Sequence, residues 1–157
     1  MQRRTLLRAG LTALAGPTAL ATATQALAQP QPLIEVWKDP NCGCCQDWMT
    51  HLKANGFAVK AHDVGNTAAR RRLGLPDRYG SCHTATVGGY VVEGHVPAAD
   101  IQRLLRERPK ALGLSVPRMP IGSPGMDGPE YGGRQDPYDV LLVGRDGNAT
   151  IYASYHR

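Results

Sequence analysis

Three of the four cysteines in this chain fall within four consecutive positions. Cys42 and Cys45 form a Cys-x-x-Cys pair, and Cys44 lies between them. Such a pair gains reactivity at the N-terminus of a helix, because the free N–H groups and the positive end of the helix dipole favour thiolate over thiol. Thiol–disulfide exchange needs two thiols, so Cys44 is one more than that chemistry requires. Either a labile disulfide or a metal ion held by thiolates would explain the crowding.

The segments on either side of the cysteines have the patterns of a strand and a helix. Residues 33–38 form an apolar run that predicts a first strand. Apolar residues recurring at helical spacing predict a helix over about 45–55, and they are Cys45, Trp48, Met49 and Leu52. The cysteine motif is therefore expected in the turn between a strand and a helix.

The elements that follow indicate a thioredoxin-like fold. They are a second strand at 57–63, a short helix at 66–73, a β-hairpin with strands at 84–87 and 90–93 around Gly88-Gly89, and a helix at 97–109. The order β-α-β-α-β-β-α is that of the α/β thioredoxin-like class. In that fold, reactive thiols occupy the turn where this chain has its cysteine motif.

The C-terminal part of the chain differs in composition. Residues 113–137 are rich in Gly and Pro and contain Met119 and Met126, which predicts a long irregular loop. A terminal β-hairpin is predicted from residues 138–143 and 148–155. A loop of this composition is able to bring its two thioether side chains over a site elsewhere in the fold.

The register of the middle hairpin brings the fourth cysteine towards the other three. With Gly88-Gly89 as the turn, Cys82 is opposite His95, and directly opposed residues lie about 4.5–5.5 Å apart at Cβ. In a thioredoxin-like sheet the third strand runs antiparallel to the first, so its start lies beside the cysteine motif. We therefore expect four thiols and one or two imidazoles, those of His95 and His83, at one edge of the sheet.

This set of donors favours soft metal ions. Thioredoxins carry a cis-proline at the start of the third strand, whereas this chain has Cys82-His83 there. Adjacent Cys44 and Cys45 point apart, so four thiolates suit several bridged soft ions better than one tetrahedral zinc ion, and thiolate with thioether selects Cu(I). The candidate ligands are Cys42, Cys44, Cys45, Cys82, His95, His83, Met119 and Met126. A turn role for His83 and loop packing for the methionines remain the alternatives.

The first 28 residues have the features of a twin-arginine export signal. Arg3-Arg4 precedes an Ala-rich, mildly apolar run that ends at Ala28 in a small-x-small pattern. Cleavage there would leave a metal-binding domain over 29–157 in the periplasm, with no membrane span. Without the three leader arginines, the 18 basic residues fall to fifteen against 13 acidic ones. This balance, and arginine clusters without interleaved aromatic residues, argue against nucleic acid as a partner.

Further motifs lie along most of the chain after the leader. They are Cys42-Gly43-Cys44-Cys45, Trp48, His51-Leu52, Gly56-Phe57, 81–85, 89–91, 93–97, Met119-Pro120, 122–126 and 137–140. In combination they resemble those of the CopG-like periplasmic copper-resistance proteins, long described as a domain of unknown function. The resemblance implies a thioredoxin-like fold and copper bound at the cysteine motif as a thiolate-bridged Cu(I) cluster, with redox exchange between Cu(I) and Cu(II). One departure is Arg118, where the family usually has glycine.

The leading hypothesis is a periplasmic protein that sequesters Cu(I) for copper resistance and whose thiols are able to reduce Cu(II). The four cysteines would be bridging thiolates, and His95 and His83 terminal donors. Its expected partners are copper ions and periplasmic copper carriers or efflux components. The alternative from another class is a thiol–disulfide oxidoreductase with Cys42 and Cys45 as its catalytic pair. A small iron–sulfur carrier is a third hypothesis, which the compressed cysteine spacing disfavours.

Overall fold

A seven-stranded mixed β-sheet organises residues 30–157, the part of the chain that the computed structural model describes. The predicted leader at 1–28 lies outside the described residues. In chain order the strands are β1 (Leu33–Lys38), β2 (Ala58–His62), β3 (His83–Val87), β4 (Tyr90–Glu93), β5 (Gly113–Ser115), β6 (Tyr138–Val143) and β7 (Ala149–Tyr155). Across the sheet their order is β2-β1-β3-β4-β5-β6-β7.

Three α-helices connect the first strands and complete the α/β thioredoxin-like arrangement. They are α1 (Gly43–Ala54), α2 (Thr67–Arg72) and α3 (Ala98–Glu107), and single 3₁₀ turns lie at Asp77–Tyr79 and Pro129–Tyr131. Strand β1 pairs parallel with β2 and, as predicted, antiparallel with β3. None of the helices within 30–157 has the length and apolar character needed to span a bilayer.

The first helix begins two residues earlier than the predicted span of 45–55. Cys42 is its N-cap residue, with extended backbone, and helical geometry starts at Gly43. The periodicity of buried side chains indicates Cys45 as the first inward-facing position. It carries no signal for the two residues before it, because Gly43 is exposed and Cys44 is half-buried. Cys44 and Cys45 therefore both lie in the first turn of α1.

The predicted irregular loop at 113–137 contains a strand at its start. Strand β5 pairs parallel with β4 and antiparallel with β6, so the terminal hairpin extends the main sheet. Three residues are too few to show an alternating pattern, and Gly113 is a poor strand former. Here glycine is required, because a Cβ at Gly113 would overlap the carbonyl group of Val91 in β4.

The core joins the sheet to α1 and α3. It includes Ile34 and Val36 of β1, Trp48 and Leu52 of α1, and Ile101 and Leu104 of α3, all with no exposed surface. The indole N–H of Trp48 donates to the carbonyl of Val96, 2.9 Å away. The Trp48 ring also packs on the His83 imidazole, with 4.2 Å between centroids. The core thus reaches directly to the end of the sheet where the cysteines lie.

Leu52→Ala should lower the free energy of unfolding by about 2–5 kcal/mol, because it leaves a cavity between α1 and the sheet. Urea unfolding of the reduced protein measures this. Leu33→Ala is the matched control, since Leu33 is 50% exposed, and its effect should stay within about 0.5 kcal/mol. Equal effects of the two substitutions would contradict the assignment of Leu52 to the core.

Candidate metal centre

The cysteine motif follows a tight turn at the end of β1. The Asp39 side chain accepts a hydrogen bond from the N–H of Asn41 at 2.8 Å, and its carbonyl accepts one from the N–H of Cys42 at 3.1 Å. The carbonyl of Cys42 then accepts the N–H of Gln46 in the first turn of α1. The turn is thus fixed by local hydrogen bonds, and the helix dipole favours negative charge on the sulfurs there.

Two of the four cysteines are joined and two are free. Cys42 and Cys45 form a disulfide, with Cα atoms 5.3 Å apart, whereas Cys44 and Cys82 are free thiols. The Cys44 sulfur lies 3.5 Å from that of Cys42 and 4.0 Å from that of Cys82. All four sulfurs lie within 4.8 Å of one another. The predicted meeting of four cysteines at one edge of the sheet is confirmed.

Two imidazoles converge on the sulfur of Cys82. It lies 3.2 Å from Nε2 of His95 and 3.3 Å from Nδ1 of His83. The pairing of Val87 with Tyr90 confirms the predicted hairpin register, which sets Cys82 opposite His95. The imidazoles of His83 and His95 therefore both lie at the site, as predicted, and both residues are fully buried.

Backbone carbonyls fix the tautomers of both histidines. Nε2 of His83 lies 2.9 Å from the carbonyl oxygen of Gly94, and Nδ1 of His95 lies 2.8 Å from that of Pro124. A carbonyl oxygen only accepts, so each of these nitrogens carries the proton. The other ring nitrogen then presents its lone pair to the Cys82 sulfur. Carbonyl partners of this kind are typical of metal-binding histidines.

The electrostatics of the site suit a bound cation. Burial lowers the pKa of His83, with a further contribution from the neighbouring His95, and burial also lowers the pKa of His95. Both rings are therefore neutral at pH 7. The Cys82 thiol has one proton for the two lone pairs that face it, so one ring nitrogen lacks a donor in the metal-free state. A soft cation beside the three residues would satisfy both nitrogens and the sulfur, and the donor set fits copper.

The C-terminal loop covers the first turn of α1. Gly125 has φ +84°, and a Cβ there would overlap the backbone of Cys44 and Trp48. This close approach brings the carbonyl of Pro124 to His95. The composition of this loop predicts methionine sulfur as its contribution to the site and does not predict the carbonyl of Pro124. A glycine after Pro124 was the available signal, because such residues allow backbone to approach backbone closely.

The two methionines occupy different surroundings. Met126 is 9% exposed, and its sulfur lies 3.4 Å from the hydroxyl of Tyr131, which donates to it. Met119 is 47% exposed and lines a cleft of about 510 Å³ between the loop and β6. Arg118, beside it, has φ +65°, a conformation that glycine adopts more readily. Ligation by either methionine remains a prediction.

Comparisons with known proteins agree with this arrangement. The family described as "Protein of unknown function, DUF411" matches residues 79–126, the part that includes Cys82, His83 and His95. No curated protein sequence matches the chain. A solved structure described as "Copper resistance protein copG- Form 1" is 50% identical, with 82% of this chain and 100% of that chain covered and a TM-score of 0.75.

A second solved structure, "Copper resistance protein copG- Form 2", is also 50% identical, with 80% of this chain and 99% of that chain covered and a TM-score of 0.74. The two relatives each cover about four fifths of this chain. Identity at this level over nearly their full length places the chain among them: it belongs to the CopG family of copper resistance proteins.

Proposed function

We propose that this protein binds copper in the periplasm and holds more than one Cu(I) through its four cysteine thiolates. The observation that carries the proposal is the approach of four sulfurs within 4.8 Å of one another. Thiolate is the donor that Cu(I) prefers, and each sulfur is able to bridge two ions. The copper resistance function of the related structures supports the same metal.

The proposed ligands divide into bridging and terminal donors. Cys42, Cys44, Cys45 and Cys82 would bridge, which requires the Cys42–Cys45 disulfide to be reduced. His95 and His83 would be terminal donors, because each points a lone pair at the Cys82 sulfur. Met119 and Met126 complete the proposed set from the loop.

The proposed location and partners rest on the N-terminal sequence pattern and on copper as the proposed cargo. A twin-arginine leader at 1–28 would deliver a folded domain of residues 29–157 to the periplasm. There its copper would be exchanged with copper carriers or efflux components. The relatives are described as copper resistance proteins, which supports sequestration of copper as the role.

The Cys42–Cys45 pair gives the site a redox capacity. Two thiolates that form this disulfide release two electrons, which reduce two Cu(II) to two Cu(I). An external dithiol would then restore the thiolates. Oxidation or reduction of this pair leaves the other donors chemically unchanged, and these are Cys44, Cys82 and the two imidazoles.

Anaerobic titration of the reduced 29–157 domain with Cu(I), against a competing chelator, should give more than one tightly bound copper per chain. Cys44→Ser should lower that count, because Cys44 is the sulfur between Cys42 and Cys82. Thr50→Ser, at an exposed position of α1, is the matched control and should leave the count unchanged. Weak or absent binding by the unsubstituted protein would overturn the copper assignment.

Copper binding should tighten as pH rises from about 6 to 9. Burial, with the adjacent Cys44 thiol, raises the pKa of Cys82 to about 12. Cys82 therefore keeps its proton throughout this range in the metal-free protein, and copper must displace it, which contributes about a tenfold gain in affinity per pH unit. Titrations at several pH values measure the slope, and Cys82→Ser should reduce it by about one proton. An unchanged slope in that variant would contradict the prediction.

The second candidate function is thiol–disulfide exchange on protein substrates, which the Cys42–Cys45 disulfide at a helix N-terminus favours. Reduction of insulin by the metal-free protein tests it. Because Cys82 and two imidazoles occupy the place of the usual cis-proline, we expect no turnover above the background rate. Turnover that Cys45→Ser abolishes and Cys44→Ser preserves would support the oxidoreductase instead.

A further inference from the structure

A buried ion pair lies behind the metal site. Nε and Nη2 of Arg70, in α2, both lie 2.9 Å from Oε1 of Glu93, at the end of β4. The Glu93 side chain is fully buried and that of Arg70 is 13% exposed. Removing both charges from water is costly, and an apolar pair of similar volume is often as stable. A contribution to folding stability therefore does not explain why this ion pair is buried here.

Both members of the pair hold the backbone of Ser81. The N–H of Ser81 donates to Oε1 of Glu93 at 2.7 Å, and Nη2 of Arg70 donates to the carbonyl of Ser81 at 2.7 Å. The Asn66 side chain donates to the same carbonyl at 3.0 Å. Thr84 donates to the second oxygen of Glu93 at 2.6 Å. We call the contacts of Arg70 and Glu93 with Ser81 the Ser81 clamp.

The clamp lies where the sheet stops supporting the chain. Pairing of β1 with β3 ends at Lys38 and His83, and pairing of β3 with β4 ends at Thr84 and Glu93. Ser81 and Cys82 come before these pairs, so their backbone has no strand partner on either side. In the clamp, side-chain groups make the hydrogen bonds that a neighbouring strand would otherwise supply.

The residue after Ser81 is the one whose placement matters most at the site. The Cys82 sulfur is common to the four-cysteine group and to the group of Cys82, His83 and His95. Its distances to Cys44 and to the two imidazoles depend on where the backbone leaves Ser81. A free backbone here would let the sulfur move away from three donors at once.

We propose that Arg70 and Glu93 are positioning residues for copper, which act by holding Ser81 so that the Cys82 sulfur meets Cys44 and both imidazoles. The proposal rests on the proposed copper function. Neither residue touches the metal donors directly. Arg70 matters through its planar fork, which reaches Glu93 and the Ser81 carbonyl together, and a lysine has no such geometry.

Arg70→Lys is the test, because it keeps a positive charge beside Glu93 and removes the stronger of the two side-chain hydrogen bonds to the Ser81 carbonyl, which leaves only that of Asn66. In competition with a chelator, we expect Cu(I) affinity of the reduced domain to fall about 10- to 100-fold, the loss typical of residues that orient metal ligands. Arg103→Lys is the matched control, since Arg103 pairs with Glu107 on the exposed face of α3. Its affinity should equal that of the unsubstituted protein.

A double substitution separates positioning from a general loss of stability. In a Cys82→Ser background, three thiolates remain to bind Cu(I), and Arg70→Lys should then change affinity less than twofold. The same 10- to 100-fold loss in that background, or no loss in the Cys82 protein, would overturn the proposal. If Arg70→Lys does not fold, as urea unfolding would reveal, Glu93→Gln takes its place. It keeps an acceptor for Ser81 and removes the charge that orients Arg70.

Failure of the copper function itself gives a different result. An unsubstituted protein that binds no copper would overturn the proposed function. The positioning role of the Ser81 clamp is then tested in the metal-free protein, from the rate at which iodoacetamide alkylates Cys82. Loss of the Arg70 hydrogen bond to Ser81 should raise that rate at least threefold in Arg70→Lys, whereas Arg103→Lys should leave it unchanged. Equal rates in the two variants would overturn the clamp.

Discussion

The antiparallel pairing of β1 with β3 is the constraint on which the rest of the site depends. It sets Lys38 opposite His83, so the chain leaves β1 into the cysteine turn at the point where it enters β3 from Cys82. Two segments about forty residues apart in sequence are thereby brought to one edge of the sheet. The second pairing, of β3 with β4, adds His95 to the same edge. Local structure then only has to orient the cysteine and histidine side chains.

Polar groups of the backbone and one buried ion pair orient most of these side chains. Carbonyls of Gly94 and Pro124 orient the two imidazoles, and Arg70 with Glu93 holds the backbone before Cys82. Burial keeps both rings neutral, which leaves their lone pairs available. The apolar core supports this arrangement from behind, because Trp48 packs directly against His83. Packing, hydrogen bonding and charge therefore act on the same few donor atoms.

The sequence predicted the features that arise from short-range patterns. The Gly88-Gly89 turn fixed the register that sets Cys82 opposite His95, and the order of elements placed the cysteine turn beside them. Strand β5 was missed because three residues show no periodicity and its partners are far along the chain. Pro124 and the Ser81 clamp were missed for a related reason, since a backbone carbonyl or a buried arginine has no distinctive pattern until the loops are in place.

The use of backbone carbonyls as partners for the two imidazoles has a consequence for how the family can diverge. A carbonyl is present whatever residue occupies a position, so exchanges of side chains around His95 leave its proton on the same nitrogen as long as the loop keeps its path. Gly125 is what holds that path, through its close approach to Cys44. Mutational tolerance at this site is therefore set by the route of the main chain, and a small insertion in the loop would be more damaging than many replacements of its side chains.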